Sequence, residues 1–431
     1  MRLIDKIKKM GSLLILSTCC LTSCNFLDVV PPEQAGLGDA VKKPESTLGF
    51  LYSCYAGIKG SSNPITYTGM EAASTDEFVF PELWGHSGQR AGWGLLTPES
   101  PGDWKWGNIY RYIGQCYLFL SQLPNALDVS EVQKREWTAE ANFLIAYYHF
   151  LILEYYGPCP ITDSYIDMDT PNNEYHGRYH FDYVTSWISM KLDEAAKDLP
   201  ASRIGSEWGR ATSTIAKAVK AQLLLLAASP LFNGNSDYIN VKDNQGRHVF
   251  PTQVDNSKWK LAADAALEAI NCAKENGHEK LYTFSLPINS ISAATRKLLD
   301  IGEAVTEKWN EEIIWGSTRN VNGLQTVAMA KHTKGSHYNA RSVLGPTLSV
   351  AEAFYSSNGV PISEDNSDFW TANYPNRYEI TTIPDEGNNK YYLQIGEQTA
   401  YLHLNREPRF YASLSFDRGT WYGDGYTNDE P

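Results

Sequence analysis

Apolar residues recur at three- and four-residue spacings through much of the first 280 positions, the period of helices with one buried face. Leu48, Leu51, Tyr52, Tyr55 and Ile58 form one such stripe over 45–58. Ile109, Tyr112, Ile113, Cys116 and Leu120 form a second, which Asp103 can cap and Pro124 ends. Residues 130–161 carry the strongest signal, a helix apolar on almost every side. Ser130 and Gln133 stand in capping-box spacing at its start, and Gly157-Pro158 ends it. A membrane span is the rival reading, but Asn142, His149 and Glu154 interrupt the run, and each is costly in hydrocarbon. A buried central helix is therefore expected, with Asn142 and His149 on one side and Glu140 and Glu154 on the other, each meeting backbone or helix partners. Ala139 and Phe143, then Ala146 and Phe150, repeat the A-x-x-x-F spacing of tetratricopeptide-like helices.

Further helices are predicted over 184–199, ended by Pro200, over 214–228, stopped before Pro230, and over 259–273, stopped by Asn276-Gly277. Helices alternating with turns in pairs predict an all-α stack of tetratricopeptide-like hairpins with long irregular loops. Beyond residue 281 the periodicity fades. Short strands are expected at 312–316 and 410–416 and a helix at 348–355, in a loop-rich cover over the helical core of about 44–280.

The first 23 residues change the picture most. Arg2, Lys6, Lys8 and Lys9 precede an apolar run over 13–21, the order of a secretory signal and too short to span a bilayer. The run ends Leu21-Thr22-Ser23-Cys24, which resembles the lipobox of bacterial lipoproteins. Residues 1–23 then read as a cleaved signal peptide, Cys24 as a lipidated first residue, 24–43 as a tether and 44–431 as the body. Each buried methylene of an acyl chain contributes about 0.8 kcal/mol to holding it at a membrane.

The formal charge of −13 argues against nucleic acid as a partner. The remaining cysteines, Cys54, Cys116, Cys159 and Cys272, are far apart and form no C-x-x-C, which leaves neither a zinc ribbon nor a redox motif. Cys116 falls on an apolar helix face, as a small buried hydrophobe does. The chain has no G-x-S-x-G, P-loop, H-E-x-x-H or G-x-G-x-x-G, so binding rather than catalysis is expected, and no cofactor is implied. His176 and His180 share an i, i+4 spacing, but Gly177 between them weakens a helical metal site, and none is expected.

Twelve Trp and 26 Tyr exceed what a core of this size needs, so some should be exposed and available to a ligand. The best candidate is the loop 76–93, within the long irregular section 67–103. Sugars have flat C–H faces and hydroxyl rims; Trp84 and Trp93 can act as platforms and Asp76, His86 and Arg90 as rim partners, with Tyr338 and Arg341 as weaker additions from another irregular segment. The competing structural role for Trp84 and Trp93 is to pin this loop to the body. Trp104, Trp106, Trp137, Trp187 and Trp259, on or beside helices, are expected to pack in the core.

A family resemblance rests on several segments in order. These are FLDVVP just after Cys24, FLYSCYAGI from Phe50, AEANFLIAYYHFLILEYYGPCPI in the central helix, AASPLFNGNSDYINVKDNQGRHVFPTQVDNSKWKLAADAALEAI from Ala227, FYSSNGVPI from Phe354 and REPRFYASLSFDRGTW from Arg406. Together they resemble the SusD/RagB family of Bacteroidetes outer-membrane nutrient-binding lipoproteins. The resemblance implies a SusD-like fold and a surface-exposed, lipid-anchored protein that captures glycan and serves as a lid on a TonB-dependent SusC-like transporter. Family members usually continue past the REPRFYASL segment into further helices with an R-x-A-E-type motif, so the chain reads as C-terminally incomplete and an apolar helical face is expected to be exposed. A peptide-binding scaffold of an uptake complex and a surface glycoside hydrolase are the alternatives.

Overall fold

The computed structural model describes residues 36–58, 75–79, 87–97, 99–100, 105–167, 169–285, 291–318, 328, 345–420 and 422. The expected signal peptide, Cys24 and the first part of the expected tether, together with Asp103 and Trp104, lie outside them. The chain forms α1 (Pro44–Tyr55), α2 (Ser87–Gly92), α3 (Lys105–Gln122), α4 (Glu131–Tyr156), α5 (Phe181–Asp198), α6 (Ser213–Ala228) and α7 (Ser257–Glu275). After them come α8 (Ala293–Thr306), α9 (Leu348–Ala353), α10 (Asp368–Asn373), α11 (Asn389–Tyr392) and α12 (Pro408–Ser413).

From α3 to α7 each helix packs on the next. The pairs are antiparallel: the backbone N–H groups of Lys105 and Trp106 at the start of α3 both donate to the Tyr156 hydroxyl at the end of α4, at 3.1 Å. At the opposite end, Lys134 Nζ of α4 donates to the Pro124 carbonyl just past α3. Between α6 and α7, Lys217 meets Glu268 at 2.8 Å and Thr214 meets Cys272 at 3.4 Å, again in reversed order. The fold is the all-α, tetratricopeptide-like stack of hairpins that the spacing predicts.

Helix α4 lies at the centre of the stack. Ser130 Oγ accepts from Gln133 N–H while Gln133 Oε1 accepts from Ser130 N–H, which satisfies two otherwise orphaned donors at its first turn. Phe143, Leu144, Ile145, Tyr148, Ile152 and Leu153 are fully buried, and each such side chain contributes about 1.5 to 3 kcal/mol. Gly157 ends the helix at φ 67°, and a Cβ there would lie 3.1 Å from Phe250, so both backbone and packing favour glycine. Among the described residues no helix is long and apolar enough to cross a membrane.

Two polar exceptions of α4, His149 and Glu140, are structural. His149 is buried; its Nδ1 donates to the Ile145 carbonyl at 2.8 Å and its Nε2 accepts from Thr162 N–H at 3.1 Å. Only the neutral ring can do both, and burial lowers its pKa from 6.5 to about 4. Glu140, also fully buried, accepts from Arg203 Nη2 at 2.9 Å, from Arg210 Nη2 at 2.5 Å and from the Tyr55 hydroxyl. Asn142 is half-buried and Glu154 exposed. Cys54, Cys116 and Cys159 are buried free thiols.

The second half is more helical than its sequence suggests. Residues 293–306, read as cover without periodicity, form α8, capped by Ser292 Oγ accepting from Thr295 N–H. Residues 410–416, expected as a strand, are mostly the helix α12, which Pro408 initiates and in which the Leu414 N–H bonds back to the Phe410 carbonyl. Residues 312–316 form turns and bends, not a strand, and Trp315 Nε1 reaches back to the Gly209 carbonyl at 3.1 Å. Helices α8 and α12 pack together over two small apolar clusters.

The tryptophan expectation holds for Trp137, which is buried, and in part for Trp106 and Trp187, which are half-buried. It fails for Trp259, 45% exposed on α7 with exposed Leu267 and Ile270 at helical spacing on the same side. That face has no helix packed over it among the described residues.

Candidate ligand-binding surfaces

Two segments that the sequence nominates separately meet in a two-stranded ladder. Strand β1 (Phe78–Val79) pairs antiparallel with β2 (Gly345–Pro346), Phe78 opposite Pro346 and Val79 opposite Gly345. Thr347 extends the pairing: its N–H donates to the Glu77 carbonyl at 3.0 Å and its hydroxyl to the Asp76 carbonyl at 2.6 Å. Val79, from which the chain runs on to Trp84 and His86, thus faces Gly345, to which it runs from Tyr338 and Arg341. Trp84, His86, Tyr338 and Arg341 themselves lie outside the described residues. Asp76 is exposed at the start of the ladder.

Arg90 and Trp93 sit together at the end of α2. The Leu95 N–H donates to the Arg90 carbonyl at 2.8 Å, and Gly94 makes the turn at φ 68°. The Arg90 guanidinium donates to the Leu95 carbonyl at 3.3 Å and Ser100 Oγ at 3.0 Å, so it helps to close this turn. Trp93 is 54% exposed at its tip. About half of this residue is therefore open to solvent.

Sequence reading missed the larger concavity, a cavity of about 680 Å³ between the first half of α3 and the irregular segment 160–176. This is within the roughly 300–1,000 Å³ of small-ligand sites. Its floor is held rigidly. Tyr110 donates its hydroxyl to the Pro160 carbonyl at 2.7 Å, and Tyr117 donates to the Thr162 carbonyl at 2.9 Å. Trp106 packs at 5.1 Å from the Tyr110 ring, and the Arg178 guanidinium lies 4.9 Å from the indole while donating to the Tyr156 and Pro158 carbonyls. Burial raises the pKa of Tyr110 and Tyr117, so both phenols stay protonated as donors. The rim carries exposed Tyr165 and Tyr175 with Asp167, Glu174 and His176. His176 and His180 do not share a helix: His180 caps α5, with Nδ1 accepting from Asp182 N–H. Among the described residues no cluster of three or more His, Cys, Asp or Glu has metal-binding geometry. The one available cue was three tyrosines and four carboxylates within residues 163–179, a density hidden by the lack of any helical or strand period.

A second concavity, about 620 Å³ between α5, α6 and α7, has no aromatic lining, and both of its lysines are paired: Lys220 with Asp193 at 2.7 Å and Lys258 with Asp182 at 2.6 Å.

A SusD-like family profile described as "Starch-binding associating with outer membrane" matches residues 64–224. The solved structure of BT4246 is 38% identical over 88% of this chain, with a TM-score of 0.75. The chain belongs to the SusD/RagB family. Two further SusD-like structures, both from Bacteroides fragilis, share the fold. BF3747 is 18% identical over 88% of this chain with a TM-score of 0.58. BF0978, titled a SusD-like carbohydrate binding protein, is 19% identical over 86% with a TM-score of 0.54. This SusD-like chain spans 66% of the length of BT4246, 62% of BF3747 and 59% of BF0978. No curated protein sequence matches it.

Proposed function

We propose that the protein captures oligosaccharide or polysaccharide at the outer surface of the outer membrane, anchored through lipid on Cys24, and passes it to a TonB-dependent SusC-like transporter. The observation that carries this reading is family membership, a family described as starch-binding and associated with the outer membrane. The exposed Trp93 and the ladder that joins the two nominated segments support it locally. In this reading Trp84 and Trp93 stack on sugar faces, and Asp76, His86, Arg90, Tyr338 and Arg341 supply hydrogen bonds. One sugar face of about 50 Å² contributes about 1 to 1.5 kcal/mol, so useful affinity requires several contacts. Binding without turnover is the expected activity.

Affinity electrophoresis through gels containing plant, fungal and host polysaccharides tests the reading. Retention on at least one gel, weakened in the Trp84→Ala, Trp93→Ala double variant, is expected. Retention unchanged in that variant rejects these platforms, and sugar release by the purified protein rejects the non-catalytic role. Fatty-acid labelling lost in Cys24→Ala, and co-purification of a large outer-membrane transporter with the native protein, test the anchor and the partner.

A further inference from the structure

The 680 Å³ cavity carries features that packing alone does not explain. Its α3 wall includes Gly107 and Gly114, one on either side of Tyr110 and all on one helix face. Glycine inside a helix costs about 0.5 to 1 kcal/mol relative to alanine. Such glycines usually let a neighbouring element approach, yet a Cβ built on either one meets nothing within 4 Å. What these two glycines leave is open space beside the aromatic rings. The rings are preorganised, because the Tyr110 hydroxyl is bound to Pro160 and Trp106 is backed by Arg178. Across the space stand Tyr165 and Tyr175, the latter 50% exposed.

The charge of the lining is one-sided. Asp163, Asp167 and Glu174 line the cavity, and no lysine or arginine is among the described residues that do. Carboxylates accept hydrogen bonds from hydroxyl groups and repel other anions. Rings that stack on C–H faces, acceptors for hydroxyls and a negative field together suit an uncharged sugar and oppose a uronate or a sulfated one.

We propose that this cavity is a second carbohydrate site, distinct from the Trp93 surface, that takes uncharged sugar residues and excludes acidic glycans. It rests on the glycan-capture reading given above. A glycan long enough to engage both surfaces would gain from the high effective concentration of the second contact once the first is made.

Isothermal titration of the lipid-free chain with maltoheptaose, laminarihexaose and mannohexaose, and with hexagalacturonate as the acidic probe, tests the proposal. Gly114→Leu fills the cavity from a helical backbone that accepts any side chain. Tyr175→Ala removes a rim platform on an exposed segment, so the test survives if the first variant folds poorly. At least one neutral oligosaccharide is expected to bind ten-fold or more weakly to each variant, while hexagalacturonate binds the unsubstituted chain at least ten-fold more weakly than that neutral probe. Asp163→Asn combined with Glu174→Gln is expected to strengthen hexagalacturonate binding at least three-fold at low salt. Neutral-sugar binding that is lost in Trp93→Ala but intact in Gly114→Leu and Tyr175→Ala overturns the cavity site and leaves the proposed function standing. Hexagalacturonate binding as tight as neutral binding overturns the charge selection. No glycan binding by the unsubstituted chain overturns both the site and the function it rests on.

Discussion

Lowering the pH from 7 to 4 should destabilise this protein through two buried histidines, and His149 is the one whose share can be isolated. His149 is fully buried, and both its ring nitrogens are committed: Nδ1–H to the Ile145 carbonyl and the Nε2 lone pair to Thr162 N–H. A proton on Nε2 would point at another donor in a dry site. Burial is the main cause of the lowered pKa, about 4 against 6.5, with the Ile145 bond and the charge of Asp163 opposing it weakly. The sign follows from which state binds the proton. Between pH 6.5 and 4 the unfolded chain has a protonated His149 and the folded chain does not, so stability is fully present above 6.5 and falls as the pH drops toward 4. The loss reaches about 2 kcal/mol at pH 5 and about 3 kcal/mol at pH 4. Urea unfolding at intervals between pH 7 and 4 measures it, with His149→Phe as the reference. The variant loses two hydrogen bonds and starts less stable, but its curve should be flatter by about the same amount. His403, whose pKa burial also lowers to about 4, contributes equally to both proteins and cancels in the difference. Parallel curves for the two proteins would refute the assignment of the effect to His149. The cavity should respond as well, since Thr162 lines it and loses its anchor when the ring is protonated.

Three further outcomes follow from packing. Glu140→Gln leaves Arg203 and Arg210, both with nearly buried side chains, without their central carboxylate; urea midpoints should report a loss of about 3 to 5 kcal/mol, and a neutral effect would mean that Glu136 and Glu207 suffice. Arg406→Met removes the donors to the carbonyls of Ala351, Phe354, Tyr355 and Leu402, with about 1 to 3 kcal/mol at stake per buried group left unsatisfied; hydrogen exchange should rise in residues 351–410 before it rises in α4. Gly157→Ala forces φ 67° on a residue with a Cβ and presses it against Phe250, a loss of about 1 to 2 kcal/mol in thermal unfolding against none for Gly114→Ala.

What the sequence revealed depended on whether each signal was local. Helix α4 was readable to the residue because Ser130, Gln133 and Gly157 mark its ends chemically, and its apolar surround left no other home for it. Helix α12 misled because Phe410, Ala412, Leu414 and Phe416 alternate as a strand would, and the contact that matters, Phe410 to Leu414 at i+4, occupies the same positions. Helix α8 was missed although Leu298, Ile301 and Val305 recur at helical spacing; only its first turn is buried, at Ala294 and Thr295. Trp259 was assigned to the core from its helical place alone, yet it is 45% exposed, off the buried stripe of Ala262, Ala265, Ala269 and Ala273. For ligand residues, exposed Trp93 could be nominated because a lone tryptophan among glycines is conspicuous. The cavity could not, because its walls, Tyr110 on α3 and Tyr175 some 65 positions later, are brought together by the antiparallel return of the chain.

The cluster around Glu140 also bears on how the chain reaches this fold. Tyr55, Arg203 and Arg210 lie 85, 63 and 70 residues from it. Closing loops of that length costs entropy before any contact rewards it. The cluster therefore completes only after α1, α4 and the turn before α6 have docked, and until then its charges stay hydrated. Substitutions there should hasten unfolding while leaving the folding rate nearly unchanged. The same ion pairs then act as a late latch, one that sets how long the protein stays folded rather than how fast it forms.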